Sequence, residues 1–201
     1  MAMTGRIALI EPKFPRMRGA CYDIGLEVAH RASDVKAIVR MVNEEHEASG
    51  AVNAVTYEHV AGWIRSGSAD SFIARDHSEG DKAAAHTAVI RWSSHCFEIR
   101  SIVVQSRYRG LGVYGNMSDS IIRAIFEKDP SATVVMIKNK RSQGYRLLPK
   151  KGFAWVPLDE VLGMGLELES PSGRYAYVLT KGAYGEAKDA GYVLAAAHRQ
   201  G

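Results

Sequence analysis

The chain has 201 residues, 46% hydrophobic and 24% charged, which is enough for one buried core and excludes a disordered segment or a coiled coil. No run approaches the roughly 20 apolar residues a bilayer demands, and the first residues lack the charged start and long apolar stretch of a secretory signal. Cys21 and Cys96 are too few for a disulfide framework, so a cytoplasmic protein with reduced thiols and no membrane partner is expected, and the net charge of +4 suits an anionic ligand without identifying one.

Residues 1–26 contain Pro12, Pro15, Gly19 and Gly25 with no sustained period and read as an N-terminal arm. Leu26, Val28 and His30 alternate as in a short strand, after which Ser33 or Asp34 caps a helix carrying Val35, Ile38, Val39 and Val42 on one face. Thr56 caps a second helix with Val60, Trp63 and Ile64 as its apolar stripe, ended by Gly67. Strand-like runs at 71–75, 87–92 and 96–104, separated by turns at 76–86 and 93–95, read as an antiparallel meander. Beyond Gly110-Leu111-Gly112 a helix bears Met117, Ile121, Ile122 and Ile125 on one side, and Pro130 prevents its continuation. Residues 133–137 are apolar and β-branched and read as a buried strand, parallel to the one before the glycines because a helix crosses between them. A short helix over 142–148, a closing strand over 175–180 and a weakly packed tail over 183–201 complete an α/β (α+β) domain spanning 27–182.

The turn after Val104 invites an anion. Glycines let the backbone approach a phosphate, successive amides and a helix N-terminus point at it, and Arg107 and Arg109 add charge-assisted contacts. The alternative is a tight turn with solvated arginines. Gly110-Leu111-Gly112-Val113-Tyr114-Gly115 also matches G-x-G-x-x-G. A dinucleotide site is disfavoured because five residues separate Val104 from Gly110 and the next strand ends at Lys138-Asn139 where an acidic ribose ligand is wanted.

Val104-Gln-Ser-Arg-Tyr-Arg109-Gly-Leu-Gly112 resembles the V-x-p-x-y-R-G-x-G signature of the GNAT acetyltransferase superfamily, and Lys151-Gly152-Phe153 resembles its k-l-G-F ending. The resemblance covers about 27–181 and implies the GNAT fold, a mixed central sheet of about six to seven strands flanked by helices. It implies acetyl-CoA as cofactor, with coenzyme A held by Ile102, Val103, Val104, Arg107, Arg109, Gly110, Leu111, Gly112, Val113, Tyr114, Gly115 and Asn139. It further implies a splay between two parallel strands that admits the pantetheine arm, transfer of the acyl group to a small-molecule or peptide amine, and the possibility of a homodimer. Two departures stand out. Tyr114 occupies a position where the family has Gly or Ala in the Arg109 register; taking Arg107 as the first motif residue restores a glycine but changes the spacing to Val104. Leu148 stands four residues before Gly152, where many members have a tyrosine that protonates the leaving thiolate. Tyr145 and Tyr114 are the candidate replacements.

Direct transfer requires a base for the amine proton. Glu98, six residues before Val104 on the same strand, matches the position of a catalytic glutamate in some members of the resembling family; the competing reading is a carboxylate paired with Arg100 or Arg91. Glu44, Glu45, His46 and Glu47 border the implied acceptor site and can attract an amine, or are a solvated helix end. The histidines show no metal-ligand spacing, so no metal is expected. The basic run Lys138, Lys140, Arg141, Arg146, Lys150 and Lys151 is a solvated face, a clamp for coenzyme A phosphates, or a contact for an acidic macromolecule. No aromatic interleaving supports nucleic acid as the partner. A non-catalytic acyl-CoA-binding protein on the same fold, or a GNAT-like modifier of nucleic acid resting on the basic run alone, is the alternative.

Overall fold

The computed structural model describes residues 12–19, 21–66, 69–139, 148–163 and 174–189. Its elements are β1 (Met17–Gly19), β2 (Tyr22–Val28), α1 (Ala32–Ser49), α2 (Tyr57–Ser66), β3 (Ala69–Asp76), β4 (Lys82–Arg91), β5 (Cys96–Val104), α3 (Val113–Lys128), β6 (Thr133–Asn139), β7 (Ala154–Val156), α4 (Leu158–Leu162), β8 (Arg174–Leu179) and α5 (Lys181–Asp189). The strands form one sheet in the order β1-β2-β3-β4-β5-β6-β8-β7, with β5 and β6 parallel and the remaining neighbours antiparallel.

Local chemistry explains the starts and stops. The Asp34 carboxylate accepts from the backbone N–H groups of His30 (2.9 Å) and Arg31 (2.8 Å), tying down the first turn of α1, and Thr56 Oγ1 accepts from the His59 N–H at 3.1 Å to start α2. On α3, Met117, Ile121, Ile122 and Ile125 are completely buried, each contributing about 1.5–3 kcal/mol of apolar transfer free energy. They pack with Phe97, Ile99, Val134 and Met136 into the main core. On the other face, α1 and α2 cover Ile73 and Val103, while Val161 of α4 packs with Cys96, Val135 and Ala176.

Among the described residues the sheet has eight strands rather than six or seven, and residues 17–28 account for part of the difference. The expected arm over 1–26 is corrected where it is described: Met17 to Gly19 pair with Tyr22 to Ile24, and β2 pairs with β3 from Ile24 onward. The tail is corrected likewise, because Tyr184 and Ala187 of α5 are buried in the main core. The helix expected over 142–148 lies outside the described residues apart from Leu148, which is buried.

One irregularity decides which way β5 presents its side chains. Ser101 has φ 53, and the β4–β5 register shifts between His86 and Ala88. Before this bulge Phe97 and Ile99 face α3; after it Ile102 and Val104 do, and Val103 faces α1. A single extra residue thus exchanges the faces of the strand just before the glycine loop.

His86 lies in the middle of β4, fully buried, with its Nδ1–H donating to the Phe72 carbonyl at 3.1 Å. Burial pushes its pKa down from 6.5 to about 4, against the opposing effect of that hydrogen bond. The unfolded chain therefore binds an extra proton between those values, and stability falls as pH falls through that window. Lowering the pH from about 7 to about 5 is expected to remove about 2 kcal/mol of unfolding free energy, and His86→Gln to flatten that slope, both measurable by urea unfolding at each pH.

Candidate functional site

The glycine loop begins where β5 ends. Gly110 and Gly112 have φ of 82 and 81, and Gly112 is the residue that precedes α3, with no side chain capping the helix. Asn116 N–H donates to the Gly112 carbonyl at 3.0 Å, so the N–H groups of Val113, Tyr114 and Gly115 are the uncapped first-turn donors. Three amides and the positive end of a sixteen-residue helix thus meet at one turn, an arrangement suited to an anion.

Beside this turn the two parallel strands separate. β6 pairs with β5 through Cys96↔Thr133, Phe97↔Val134 and Glu98↔Val135, whereas β5 runs on to Val104 and β6 to Asn139. β6 stays paired with β8 as far as Asn139, and β5 stays paired with β4 as far as Val104, so each strand remains held on its outer side. The wedge between them is a splay, lined on the α3 side by Ile102 and Val104. Its open backbone is suited to amides added in the manner of an extra strand.

The predicted residues occupy distinct places around this wedge. Arg107 reaches Glu79 (2.5 Å) and the Tyr108 hydroxyl (2.5 Å), its guanidinium 4.4 Å from the Tyr108 ring centre. Arg109 Nε donates to the Val104 carbonyl at 3.0 Å, and its Nη2 pairs with Glu45 of α1. Leu111 packs against the main core and Val113 is buried within it. Tyr114 does not disturb the helix start. Its ring turns inward, its hydroxyl is buried without a hydrogen-bond partner among the described residues, and burial followed by the Asp119 charge pushes its pKa up to about 12. Asn139 ends β6, paired with Arg174. Tyr145, Lys140, Arg141 and Arg146 lie outside the described residues.

Glu98 stands at the apex of the splay. Its carboxylate accepts from Arg100 Nε (3.0 Å), Arg100 Nη2 (2.7 Å) and Trp92 Nε1 (2.9 Å). The pairing with Arg100 that the sequence allowed is therefore present, and that with Arg91 gives way to it. Lys151 is not a solvated cation: it is buried, and its ammonium donates to Asp119 (2.5 Å), Ser118 Oγ (2.7 Å) and the Gly115 carbonyl (3.4 Å).

Sequence reasoning missed several groups that shape the site. Asp76, fully buried, accepts from Ser78, from the Asp23 N–H and from the Tyr108 hydroxyl, which together hold the loop against the end of β3. Burial alone would raise its pKa, and these hydrogen bonds outweigh burial and lower it. Trp92, which donates to Glu98 from the end of β4, was missed, whereas Arg100, two residues from Glu98 on one strand face, was legible as its partner. The Glu45–Arg109 contact spans 64 positions and leaves no local signal.

No protein-family model matches the chain, and no curated protein sequence matches it. Solved structures do. A GNAT-family acetyltransferase from Staphylococcus aureus Mu50 superposes with a TM-score of 0.64 at 13% identity, over 78% of this chain and 99% of that one. N-acetylglutamate synthase from Neisseria gonorrhoeae, solved with coenzyme A and N-acetyl-glutamate, gives 0.59 at 14% identity over 77% of this chain and 34% of that one. A Mycobacterium tuberculosis protein in complex with CoA gives 0.59 at 17% identity over 78% and 98%. The chain has the fold of the GNAT acetyltransferases.

Proposed function

We propose that the protein is an acyl-CoA-dependent N-acyltransferase that moves an acetyl group from acetyl-CoA to a primary amine by direct transfer. The observation that carries this reading is the splay itself, closed at Glu98↔Val135, open beyond it, and adjoining the uncapped N-terminus of α3. The coenzyme A found in two structures of the same fold supports it. In this reading the N–H groups of Val113, Tyr114 and Gly115 bind the pyrophosphate, Arg107 and Arg109 face it, and the backbone of Ile102 and Val103 bonds the pantetheine amides, with Asn139 on the opposite wall. The Val104 carbonyl joins them only if Arg109 releases it. No described helix is long and apolar enough to cross a membrane.

The amine nitrogen attacks the thioester carbon, the C–S bond breaks, the amine sheds one proton and the thiolate gains one. Glu98 is the group to which the amine proton is directed. Because three donors already bond its carboxylate, Glu98 acts by stabilising positive charge and by relaying the proton through water. Tyr145, three residues before Leu148, is the proton donor to the thiolate by sequence position, since the Tyr114 hydroxyl is buried away from solvent.

Calorimetric titration with acetyl-CoA tests the cofactor, and thiol release over an amine panel tests the chemistry. Saturable binding weakened about tenfold in Arg109→Ala is expected, with acceptor-dependent thiol release reduced roughly 100-fold in Glu98→Gln. Binding without release by any amine would favour the second reading, a non-catalytic acyl-CoA-binding protein, which the buried Leu148 in place of tyrosine supports. Absence of binding would overturn both.

A further inference from the structure

One face of β5 changes character along its length. Cys96 belongs to the apolar cluster under α4, Val103 belongs to the cluster under α1 and α2, and between them on that face stand Glu98 and Arg100. An ion pair interrupts what would otherwise be a continuous apolar floor. It does so at the level where the last parallel pair, Glu98↔Val135, closes the splay. A thioester threaded through the wedge from the α3 side would reach the opposite face beside these two residues.

The pair is turned so that its cationic end is the accessible one. The Glu98 side chain retains 3% of its surface and that of Arg100 28%. Glu98 is saturated by Arg100 Nε, Arg100 Nη2 and Trp92 Nε1, whereas no acceptor among the described residues takes Arg100 Nη1. The guanidinium carbon lies 5.8 Å from the Trp92 ring centre, so Trp92 backs the guanidinium while bonding its partner carboxylate, and both ends of the pair are held. A simple alkylammonium or polyamine meets a guanidinium there and is repelled. A dianion such as a phosphate monoester meets the neighbouring Glu98 charge. A single carboxylate satisfies Nη1 with a charge-assisted bond and leaves the pair intact.

We propose that the acceptor is an amine bearing a carboxylate close to it, an amino acid, and that Arg100 binds that carboxylate and so determines acceptor specificity. This rests on the acyl-transfer reading above. It assigns the acceptor class from a residue pair whose members the sequence treats only as a possible base and its counter-ion. Nothing in the transfer chemistry changes: the amine of the amino acid attacks the thioester, an N-acyl amino acid and the free thiol of coenzyme A leave, and atoms and charge balance with one proton passing from nitrogen to sulfur.

The test pairs each amino acid with its carboxamide and its decarboxylated amine as acceptors for acetyl-CoA, reading thiol release. The wild-type protein is expected to prefer at least one amino acid over its own amide by roughly 10- to 100-fold in kcat/KM, the worth of one charge-assisted hydrogen bond. Arg100→Gln is expected to bring that ratio to about one, mainly through KM, and Arg100→Lys to restore part of it. Because Arg100→Gln leaves the buried Glu98 short of a partner, Glu98→Gln with Arg100→Gln is measured beside it by calorimetric binding of the N-acetyl amino acid, which needs no turnover and is expected to be lost in both variants. Preference for amides or polyamines, or an Arg100 variant that slows all acceptors equally, overturns the proposal while leaving acyl transfer standing. A wild-type protein that binds N-acetyl amino acids but not acetyl-CoA would instead overturn the acyl-transfer reading.

Discussion

Lys151→Met is expected to lower unfolding free energy by about 3–5 kcal/mol, because it strands a buried carboxylate. Asp119 is held inside the protein by the Lys151 ammonium at 2.5 Å, with Ser118 and the Gly115 carbonyl completing the ammonium's shell. Burial raises the Asp119 pKa and the Lys151 charge works against that rise. Without the lysine the folded pKa climbs further above its unfolded value, so the folded state holds its proton more tightly than the unfolded one. Below about pH 4 both states are protonated and the penalty is small; as pH rises past the unfolded pKa the penalty grows until the folded pKa is reached. Denaturant melts at about pH 4 and about pH 7 therefore separate this mechanism from simple loss of packing, which would cost the same at both. Lys151→Met combined with Asp119→Leu is expected to recover most of the stability, as replacement of buried ion pairs by apolar residues does elsewhere. Equal loss in the single and double variants would show that the pair holds more than its own charges.

The same lysine shows what the sequence made legible and what it did not. As a member of a run of six basic residues it reads as solvated face, phosphate clamp or contact for an acidic macromolecule, because a charge run carries no record of which member turns inward. Its partner lies 32 positions away on a helix read only for its apolar side. By contrast β5 was readable to its ends, Cys96 and Val104, since Phe97 and Ile99 alternate with Glu98 and Arg100 before the apolar run of Ile102, Val103 and Val104, and turns bound the whole segment. The parallel placement of β6 followed from the helix between them. The bulge at Ser101 was hidden, because serine carries no signal for a positive φ, and the bulge decides that Arg100 and Val103 share a face. β1 was hidden for a different reason: three residues, Met17-Arg-Gly19, have no period to read, and only pairing with β2 makes them a strand. Local pattern thus conveyed the scaffold and the place of the glycine loop between β5 and α3, while long-range pairing determined how charged groups are arranged on it.

Gly112→Val is expected to weaken coenzyme A binding by roughly 100-fold while leaving the protein folded. Conformation rather than space sets the cost. A Cβ at Gly112 would lie 3.5 Å from the Asn116 amide nitrogen and 4.0 Å from Met17 Cε, ordinary contact distances, but the residue sits at φ +81. A β-branched side chain there costs about 1–3 kcal/mol, and the chain recovers that by rotating the peptide that leads into Val113. The rotation redirects first-turn N–H groups on which the pyrophosphate would rest, so the strain is paid in affinity. Asparagine separates the two explanations. It is of similar bulk but tolerates the left-handed region, so Gly112→Asn is expected to retain binding within about tenfold of wild type. Calorimetric titration of both variants with coenzyme A decides the matter. Equal loss in the two would mean that the loop excludes any side chain at this position, and equal retention would mean that the phosphate is held by the arginines rather than by the helix end.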